Sequence, residues 1–194
     1  MTHKKIFGVI YLAAVLTLSA CSSDKNQEGT HDVSEHDIEE SNSTDHSAMN
    51  HSSDGAIPTG LEEATNPTFP VGSKTMIQAD HMEGMSGAEA TVVGAFNTIA
   101  YIVSYTPTTG GKPVRNHKWV IHEELDPVAE EPLESGTKAT INAEHMEGMQ
   151  GAEAAIDSAI ETTVYMVDYT SSTTGEKVKN HKWVTESEMS AIEE

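Results

Sequence analysis

The sequence contains a single cysteine, few aromatic residues and little positive charge. One cysteine excludes a disulfide within the chain, and an aromatic content of 5% argues against a large core. Lys and Arg number 11 against 31 Asp and Glu, so the formal net charge is −20 and the positive surface that nucleic acids require is missing. The 194 residues are therefore expected to form small folded units joined to disordered segments, with no nucleic-acid binding.

An apolar run near the start of the chain, residues 6–18, is shorter than a membrane-spanning helix needs. It follows two lysines and ends at Leu18-Ser19-Ala20-Cys21, which resembles the lipobox of bacterial lipoproteins. This resemblance implies a signal peptide over residues 1–20 and lipidation of Cys21, which anchors the protein on the extracellular face of the cell membrane. Cys21 then cannot serve as a metal ligand or as a nucleophile. Removing the signal leaves 9 basic residues against 31 acidic ones, a formal charge of −22.

Residues 21–68 are rich in Ser, Asp, Glu, Asn, Thr and His and have neither helical nor strand periodicity. This composition predicts a disordered acidic tether, because it cannot bury enough apolar surface to offset the entropy lost on ordering. Two interpretations of its histidines stay open: a solvated spacer, or a flexible arm that gathers divalent cations through imidazole and carboxylate groups. The possible metal donors of the tether are His31, His36, His46, Met49 and His51.

Most of the remaining chain is one module written twice at an offset of 64 residues. Residues 81–120 align with residues 145–184 without a gap, and 23 of these 40 positions are identical. Both copies contain His-Met-Glu-Gly-Met and, further along, Asn-His-Lys-Trp-Val. The duplication predicts two separately folding modules, residues 69–125 and 133–194, joined by an acidic, proline-bounded linker over residues 126–132.

Runs of β-branched and aromatic residues predict strands within each module. Gly-containing residues 108–111 predict a hairpin turn before the last strand, and a helix over residues 87–96 is an alternative because Ala and Glu also favour helix. The order of strands is similar to that of small SH3-like barrels. The predicted fold is therefore mainly β, with two tandem SH3-like barrel modules after the tether. In the first module the runs are residues 74–78, 90–93, 99–105 and 114–121.

The His-Met-Glu-Gly-Met segments carry the donors that soft metal ions prefer. Thioether sulfur is soft and uncharged, and together with imidazole it selects soft or borderline ions, above all Cu(I). The glycine permits a sharp turn that could bring the histidine and both methionines to one face. The alternative is that the methionines pack in the core and the histidine forms a structural hydrogen bond. The candidate ligands are His81, Met82 and Met85 in the first module and His145, Met146 and Met149 in the second, with His117 and His181 of Asn-His-Lys-Trp as further candidates.

The lipobox, the acidic tether and the two repeats together resemble the YdhK-type lipoproteins, a family of tandem modules that includes the copper-tolerance lipoprotein CopL. The resemblance implies an extracellular, membrane-anchored protein that binds copper beside a copper exporter or a multicopper oxidase and has no catalytic role. It implies the same donors, in the two His-Met-Glu-Gly-Met segments. The repeats differ at Ser171-Ser172 and Thr174, where the first has Pro107-Thr108 and Gly110, so their turns are not expected to be identical.

Three classes of function follow from these patterns. Sequestration of copper at the cell surface, contributing to copper tolerance, is favoured by the paired soft donors and the many carboxylates. The alternative is a surface module that binds a cell-wall polymer or a peptide and has no metal role. An enzyme is not expected, because the sequence has no nucleophile with a base, no phosphate-binding loop and no zinc-protease motif. A blue-copper site is disfavoured as well, because its cysteine ligand is missing.

Overall fold

The computed structural model describes residues 52–192, which form strands and two short 3₁₀ turns, at His122–Glu124 and Glu186–Glu188. The mainly β prediction is confirmed, and the alternative helix is wrong because most of its residues lie in a strand. In and before the first repeat the strands are β1 (Glu62–Glu63), β2 (Lys74–Ile77), β3 (Glu89–Tyr105), β4 (Val114–Ile121) and β5 (Leu125–Asp126). In the second repeat they are β6 (Lys138–Ile141), β7 (Glu153–Thr170), β8 (Lys177–Thr185) and β9 (Met189–Ala191).

Two long strands, β3 and β7, form the centre of the sheet. They pair antiparallel along nearly their whole lengths, from Ala90 opposite Tyr169 to Tyr105 opposite Ala154. The sequence predicts separate strands over residues 90–93 and 99–105, and the structure joins them into one. The residues between them stay extended because they continue the ladder with β7.

The last strand of each repeat pairs with the other repeat. Thr75 of β2 lies opposite Ala191 of β9, and Asp126 of β5 lies opposite Thr140 of β6. The resulting sheet has the order β5-β6-β7-β3-β2-β9, while β1 and β4 pair with β3 and β8 pairs with β7. One sheet therefore runs through both repeats.

The hydrophobic cores are shared between the repeats in the same way. One core joins residues 77–95 of the first repeat to residues 165–189 of the second, and the other joins residues 101–125 to residues 139–156. A third cluster contains both tryptophans, Trp119 and Trp183. The expectation of two separate SH3-like barrels is therefore wrong, because each repeat supplies only half of each core.

Residues 52–57, here called the N-terminal strap, lie along the edge of β8 instead of belonging to a disordered tether. The Ser53 N–H donates to the Lys179 carbonyl at 2.9 Å, and the Lys179 N–H donates to Ser52 Oγ at 2.9 Å. Further along, Leu61 and Ala64 pack against the apolar clusters. The tether prediction is wrong from Ser52 onward because the strand edge satisfies the polar groups of these small residues. The earlier part of the predicted tether and Cys21 lie outside the described residues.

Candidate functional site

One cleft in the described surface collects histidines and methionines from both repeats. It has a volume of about 1150 Å³, and β4, β8, the N-terminal strap and the loops after β2 and β6 contribute to its walls. The polar motifs of both repeats thus line the same cleft, just as residues of both repeats form each hydrophobic core. Six of the predicted candidates line it: His81, Met82, His117, His145, Met146 and His181.

The first histidine of the site is held by a carboxylate of the other repeat. His81 Nε2 lies 2.7 Å from Glu188 Oε1, and the Trp119 indole N–H donates to Glu188 Oε2 at 2.8 Å. The Thr185 N–H and hydroxyl also donate to Glu188 Oε2, at 3.1 and 2.9 Å. Burial by itself raises the pKa of Glu188, but its hydrogen bonds and the charge of His81 lower it to about 2. Glu188 is therefore an ionised acceptor at neutral pH.

The second repeat repeats this arrangement at the 64-residue offset. His145 Nε2 lies 2.9 Å from Glu124 Oε1, and the Trp183 indole N–H lies 3.2 and 3.1 Å from the two oxygens of Glu124. The Ile121 N–H donates to Glu124 Oε2 at 3.1 Å. Glu124 is 3% exposed, so the carboxylate is removed from water and depends on these donors. Each His–Glu pair joins the two repeats.

The unused nitrogens of these two histidines are buried. Nδ1 of His81 and Nδ1 of His145 make no hydrogen bond with any described residue. A carboxylate accepts only hydrogen bonds, so Nε2 carries a proton in each pair, and Nδ1 is the nitrogen through which either ring would bind a metal ion, with release of any proton it holds. A buried nitrogen without a hydrogen-bond partner is a position where a metal ion would be accepted. A metal-binding histidine ordinarily donates its other N–H to a carboxylate in this manner.

The two methionines of each loop go to different places. Met82 and Met146 line the cleft, whereas Met85 and Met149 are 0% exposed and pack in the shared cores. In the first loop, a turn closed by the Met85 N–H and the Met82 carbonyl at 3.3 Å separates the two side chains. The structure therefore places one methionine of each motif in the cleft that the histidines also line, with Met82 packed against one core as well. It leaves the other methionine with the packing partners that the core interpretation predicts.

Met146 also contacts an aromatic hydroxyl. The Tyr105 O–H donates to Met146 Sδ at 3.9 Å, and the Tyr105 ring meets the His117 ring edge-on at 6.0 Å between centroids. His117 in turn lies 6.3 Å from the His145 ring. Burial raises the pKa of Tyr105, so the phenol stays protonated as a donor. Thus His117, a candidate from the Asn-His-Lys-Trp motif, lies beside the second His-Met loop.

The Asn-His-Lys-Trp motif bends the edge strands at the cleft. Asn116 and Asn180 have φ values of 51° and 49°, in the left-handed region that asparagine tolerates better than most residues. His181, which follows Asn180, is 6% exposed and meets the Tyr169 ring edge-on at 5.8 Å. The Lys118–Trp119 and Lys182–Trp183 peptide bonds are cis. The structure accordingly holds this motif in the same backbone conformation in both repeats.

Sequence reasoning missed the two glutamates and the strap. Glu124 and Glu188 lie in segments that differ in composition, and only their shared 64-residue offset could have marked them. Among residues 52–192, no group of three or more His, Cys, Asp or Glu side chains is arranged to hold a metal ion, and thioether donors are not in that set. No helix in the same range is both long enough and apolar enough to cross a membrane.

Comparison with known families identifies the repeated module. A family model described as "Protein of unknown function (DUF1541)" matches residues 71–122 and 135–186. The chain belongs to the DUF1541 family. The two segments matched by the DUF1541 model correspond to the two repeats found in the sequence. A relative described as "Uncharacterized protein YdhK", from Bacillus subtilis (strain 168), is 52% identical over 189 residues, which cover 97% of this chain and 89% of the relative.

Solved structures of DUF1541 proteins have a similar fold. The crystal structure of a DUF1541 family protein (ydhK) from Bacillus subtilis subsp. subtilis str. 168, at 2.00 Å resolution, has a TM-score of 0.73 and 58% identity. It covers 76% of this chain and 100% of that chain. The solution NMR structure of the ydhK C-terminal domain from B. subtilis has a TM-score of 0.61 and 61% identity, covering 63% of this chain and 92% of that one. The likeness to YdhK therefore holds in both sequence and fold.

Proposed function

We propose that this DUF1541 protein is an extracellular, membrane-anchored lipoprotein that binds copper, with Cu(I) favoured, and sequesters it at the cell surface. Such sequestration would contribute to copper tolerance. In this proposal copper is cargo and the protein performs no catalysis. The donors are the cleft-lining imidazoles and thioethers, while the many surface carboxylates raise the local concentration of cations.

One observation carries the proposal: each His-Met loop has a buried histidine Nδ1 with no hydrogen-bond partner among the described residues, beside a methionine at the cleft. His81 and His145 are each oriented by a carboxylate on Nε2. This support leaves Nδ1 as the donor and fixes the ring in place, as ligating histidines require. The thioethers of Met82 and Met146 add soft donors, which favour Cu(I) over hard ions such as Mg²⁺.

The proposal refines the set of ligands expected from the sequence. Met85 and Met149 are fully buried in the cores, and we assign them to packing. Met82, Met146 and the two loop histidines remain as the proposed donors. His117 and His181 line the same cleft and are proposed as additional donors from β4 and β8.

A Cu(I) competition titration tests this assignment. The mature chain with Cys21→Ser is compared with a cleft variant carrying Met82→Leu and Met146→Leu, and with a core variant carrying Met85→Leu and Met149→Leu. Both variants replace two thioethers by hydrocarbon of similar volume, so both are expected to fold, at a cost below about 1.5 kcal/mol each. The cleft variant should bind Cu(I) at least about tenfold more weakly, which corresponds to roughly 1.4 kcal/mol.

The core variant is the matched control and should keep the affinity of the parent chain. Equal Cu(I) affinity and stoichiometry in all three proteins would contradict a role for the cleft methionines. If only the core variant bound Cu(I) more weakly, the buried sulfurs of Met85 and Met149 would be the ligands instead.

The lipid anchor is a separate part of the proposal. We infer from the lipobox that Cys21 carries the acyl chains, and two chains suffice for stable membrane residence. Cys21→Ser should move the exported protein from the membrane fraction to the medium. An exported Cys21→Ser protein that remains wholly in the membrane fraction would contradict lipid anchoring.

A further inference from the structure

One stretch of β7 has no neighbouring strand on its outer edge within residues 52–192. The inner edge of β7 pairs with β3 along this stretch. On the outer edge, the pairing that continues from β6 ends at Ile156, and the pairing with β8 starts only at Val164. The outer edge of residues 157–163, here called the β7 gap, is therefore an unpaired edge of the described sheet. It is roughly 20 Å long, which is enough for a short strand.

The first repeat has a strand at the corresponding place. Glu63 of β1 lies opposite Phe96 of β3, and the Ala64 N–H donates to the Ala95 carbonyl at 2.9 Å. Leu61 packs against the apolar cluster that contains Phe96. A paired strand with an apolar side chain therefore covers this part of β3.

The second repeat exposes the side chains that β1 covers in the first. At the 64-residue offset, Ala95 and Phe96 correspond to Ala159 and Ile160. Ala95 and Phe96 are each 4% exposed, whereas Ala159 is exposed and Ile160 is 45% exposed. Ile160 is thus a large apolar side chain beside an unpaired strand edge, a combination that favours the addition of another strand.

The β7 gap stays open because the second repeat uses the corresponding residues elsewhere. Residues 125–126, which match residues 61–62, form β5 and pair with β6. The linker that follows is held by the first repeat, since His122 Nε2 lies 2.7 Å from the Ala129 carbonyl oxygen and the Leu133 N–H donates to the Tyr101 hydroxyl at 3.1 Å. The linker therefore does not supply the missing strand.

The side chains of the β7 gap indicate what kind of strand it accepts. Its ionisable residues, Asp157 and Glu161, are both acidic, and Glu161 is exposed. Glu161 corresponds to Asn97, which lies opposite Glu62 of β1. A Lys or Arg opposite Glu161 would be attracted, whereas a second acidic residue would be repelled. The residues on either side of that basic residue would lie on the same face of the sheet as Ile160, so apolar side chains are favoured there.

The sequence of this chain does not contain such a segment. Nowhere does a Lys or Arg stand between two apolar residues, and the formal net charge of −20 makes a second copy a repulsive partner. A different polypeptide with basic residues fits the β7 gap better than the tether or another copy of the chain.

We propose that the β7 gap binds an extended segment of a different, basic polypeptide, in which a Lys or Arg lies between two apolar residues. The backbone groups of Ala159 and Glu161 would pair with this segment as the corresponding positions of β3 pair with β1. The basic side chain would lie opposite Glu161, and the apolar side chains would cover Ile160. The β7 gap contains none of the proposed copper donors, so this site goes beyond the proposed function and does not depend on it.

A peptide titration followed by NMR tests this proposal. The probe is the synthetic peptide Gly-Leu-Lys-Val-Ala-Thr, capped at both ends, which has the sequence of residues 60–65 with Lys and Val in place of the two glutamates. It is added to the isotope-labelled mature chain carrying Cys21→Ser. The backbone amides of Ala159 and Glu161 should show saturable shifts. A peptide with Glu in place of Lys should bind at least about threefold more weakly, because like charges would then lie opposite each other.

Variants of the protein make the test specific to this edge. Glu161→Gln removes the charge, so the lysine and glutamate peptides should then bind within about twofold of each other. Ile160→Thr keeps a β-branched side chain but loses apolar surface, and it should bind the lysine peptide at least about threefold more weakly. Glu62→Gln removes an exposed charge from the filled edge of β3. It is the matched control and should leave peptide binding unchanged.

Four results would overturn the proposal. They are the absence of shifts at excess lysine peptide, equal binding of the two peptides to the parent chain, and shifts at Ala159 and Glu161 that follow the protein concentration without peptide, which would indicate a second copy. The fourth is slow hydrogen exchange of the Glu161 amide without peptide that is lost when residues 22–51 are removed, because the tether would then be the occupant.

Discussion

Glu188 and Glu124 each accept hydrogen bonds from a histidine and a tryptophan of the other repeat. The histidines and the cleft methionines could be predicted from the sequence, because the motif His-Met-Glu-Gly-Met names them directly. The glutamates could not, since Glu188 lies 107 residues from His81 and no local pattern relates the two. The burial of Met85 in a core could not be predicted either, because a thioether suits a core as well as a metal site.

The lowered pKa of Glu188 makes stability depend on pH in a defined direction. Its pKa of about 2 in the fold lies below its ordinary value of 4.5, so the unfolded chain binds the proton more readily. The stabilisation is complete above about pH 4.5 and is lost as the pH falls toward 2, with a size of at most about 3 kcal/mol. Urea denaturation across this range should show that Glu188→Gln lacks this part of the pH dependence.

The exposed residue Glu134 provides a control for that measurement. Glu134→Gln should keep the pH dependence of the parent chain, because this side chain is in water in both states. If Glu188→Gln and Glu134→Gln have the same pH profile, the buried His81–Glu188 pair does not stabilise the fold.

At the scale of elements, each His-Met loop packs on the hairpin of the other repeat. The Ser172 N–H donates to the Gly84 carbonyl at 2.8 Å, and the Thr108 N–H donates to the Gly148 carbonyl at 2.8 Å. The sequence predicts strands over residues 74–78 and 114–121, and the structure has strands there. These strands could be predicted because the alternation of apolar residues and the flanking turns are local features of the sequence. The loop–hairpin contact joins residues that are far apart in the sequence, so the sequence predicts only a turn at Gly84 and not its contact with Ser172.

Glycine can be required in this loop for two reasons, a left-handed backbone and a lack of space for a Cβ, and Gly84 and Gly87 allow the two to be measured separately. They have φ values of 74° and 75°, but a Cβ on Gly84 would lie 2.0 Å from Ser171 Oγ, whereas one on Gly87 would meet nothing within 4 Å. Both alanine variants bear the same left-handed strain, so Gly84→Ala should cost about 1–3 kcal/mol more than Gly87→Ala. Chemical denaturation measures the difference. Equal losses would mean that the hairpin moves aside freely.

At the scale of the whole molecule, the duplication is visible in the sequence but the exchange of strands is not. Because the two repeats are similar in sequence, a strand finds equivalent partner residues whether it pairs within its own repeat or with the other one. The long antiparallel pairing of β3 with β7 determines which arrangement forms. It places the first half of each repeat against the second half of the other repeat. Local periodicity contains no information about that choice.

This exchange predicts that one repeat cannot fold as a monomer. A fragment of residues 133–194 retains only half of each core, so it should be either unfolded or a dimer that repeats the exchange with a second copy. Circular dichroism and light scattering distinguish these states. The fragment of residues 52–194 should unfold in one cooperative transition and serves as the control. A stable monomeric fold of residues 133–194 would contradict the shared cores.

We propose that the carboxylate-oriented histidines offer Nδ1 to copper. Cu(I) is diamagnetic, so histidine ring ¹⁵N spectra of the mature chain with Cys21→Ser can be recorded while Cu(I) is added. We predict that the Nδ1 resonances of His81 and His145 shift on binding while their Nε2–H groups stay hydrogen-bonded to Glu188 and Glu124. Unchanged Nδ1 resonances in both rings when Cu(I) has saturated the protein would contradict the account.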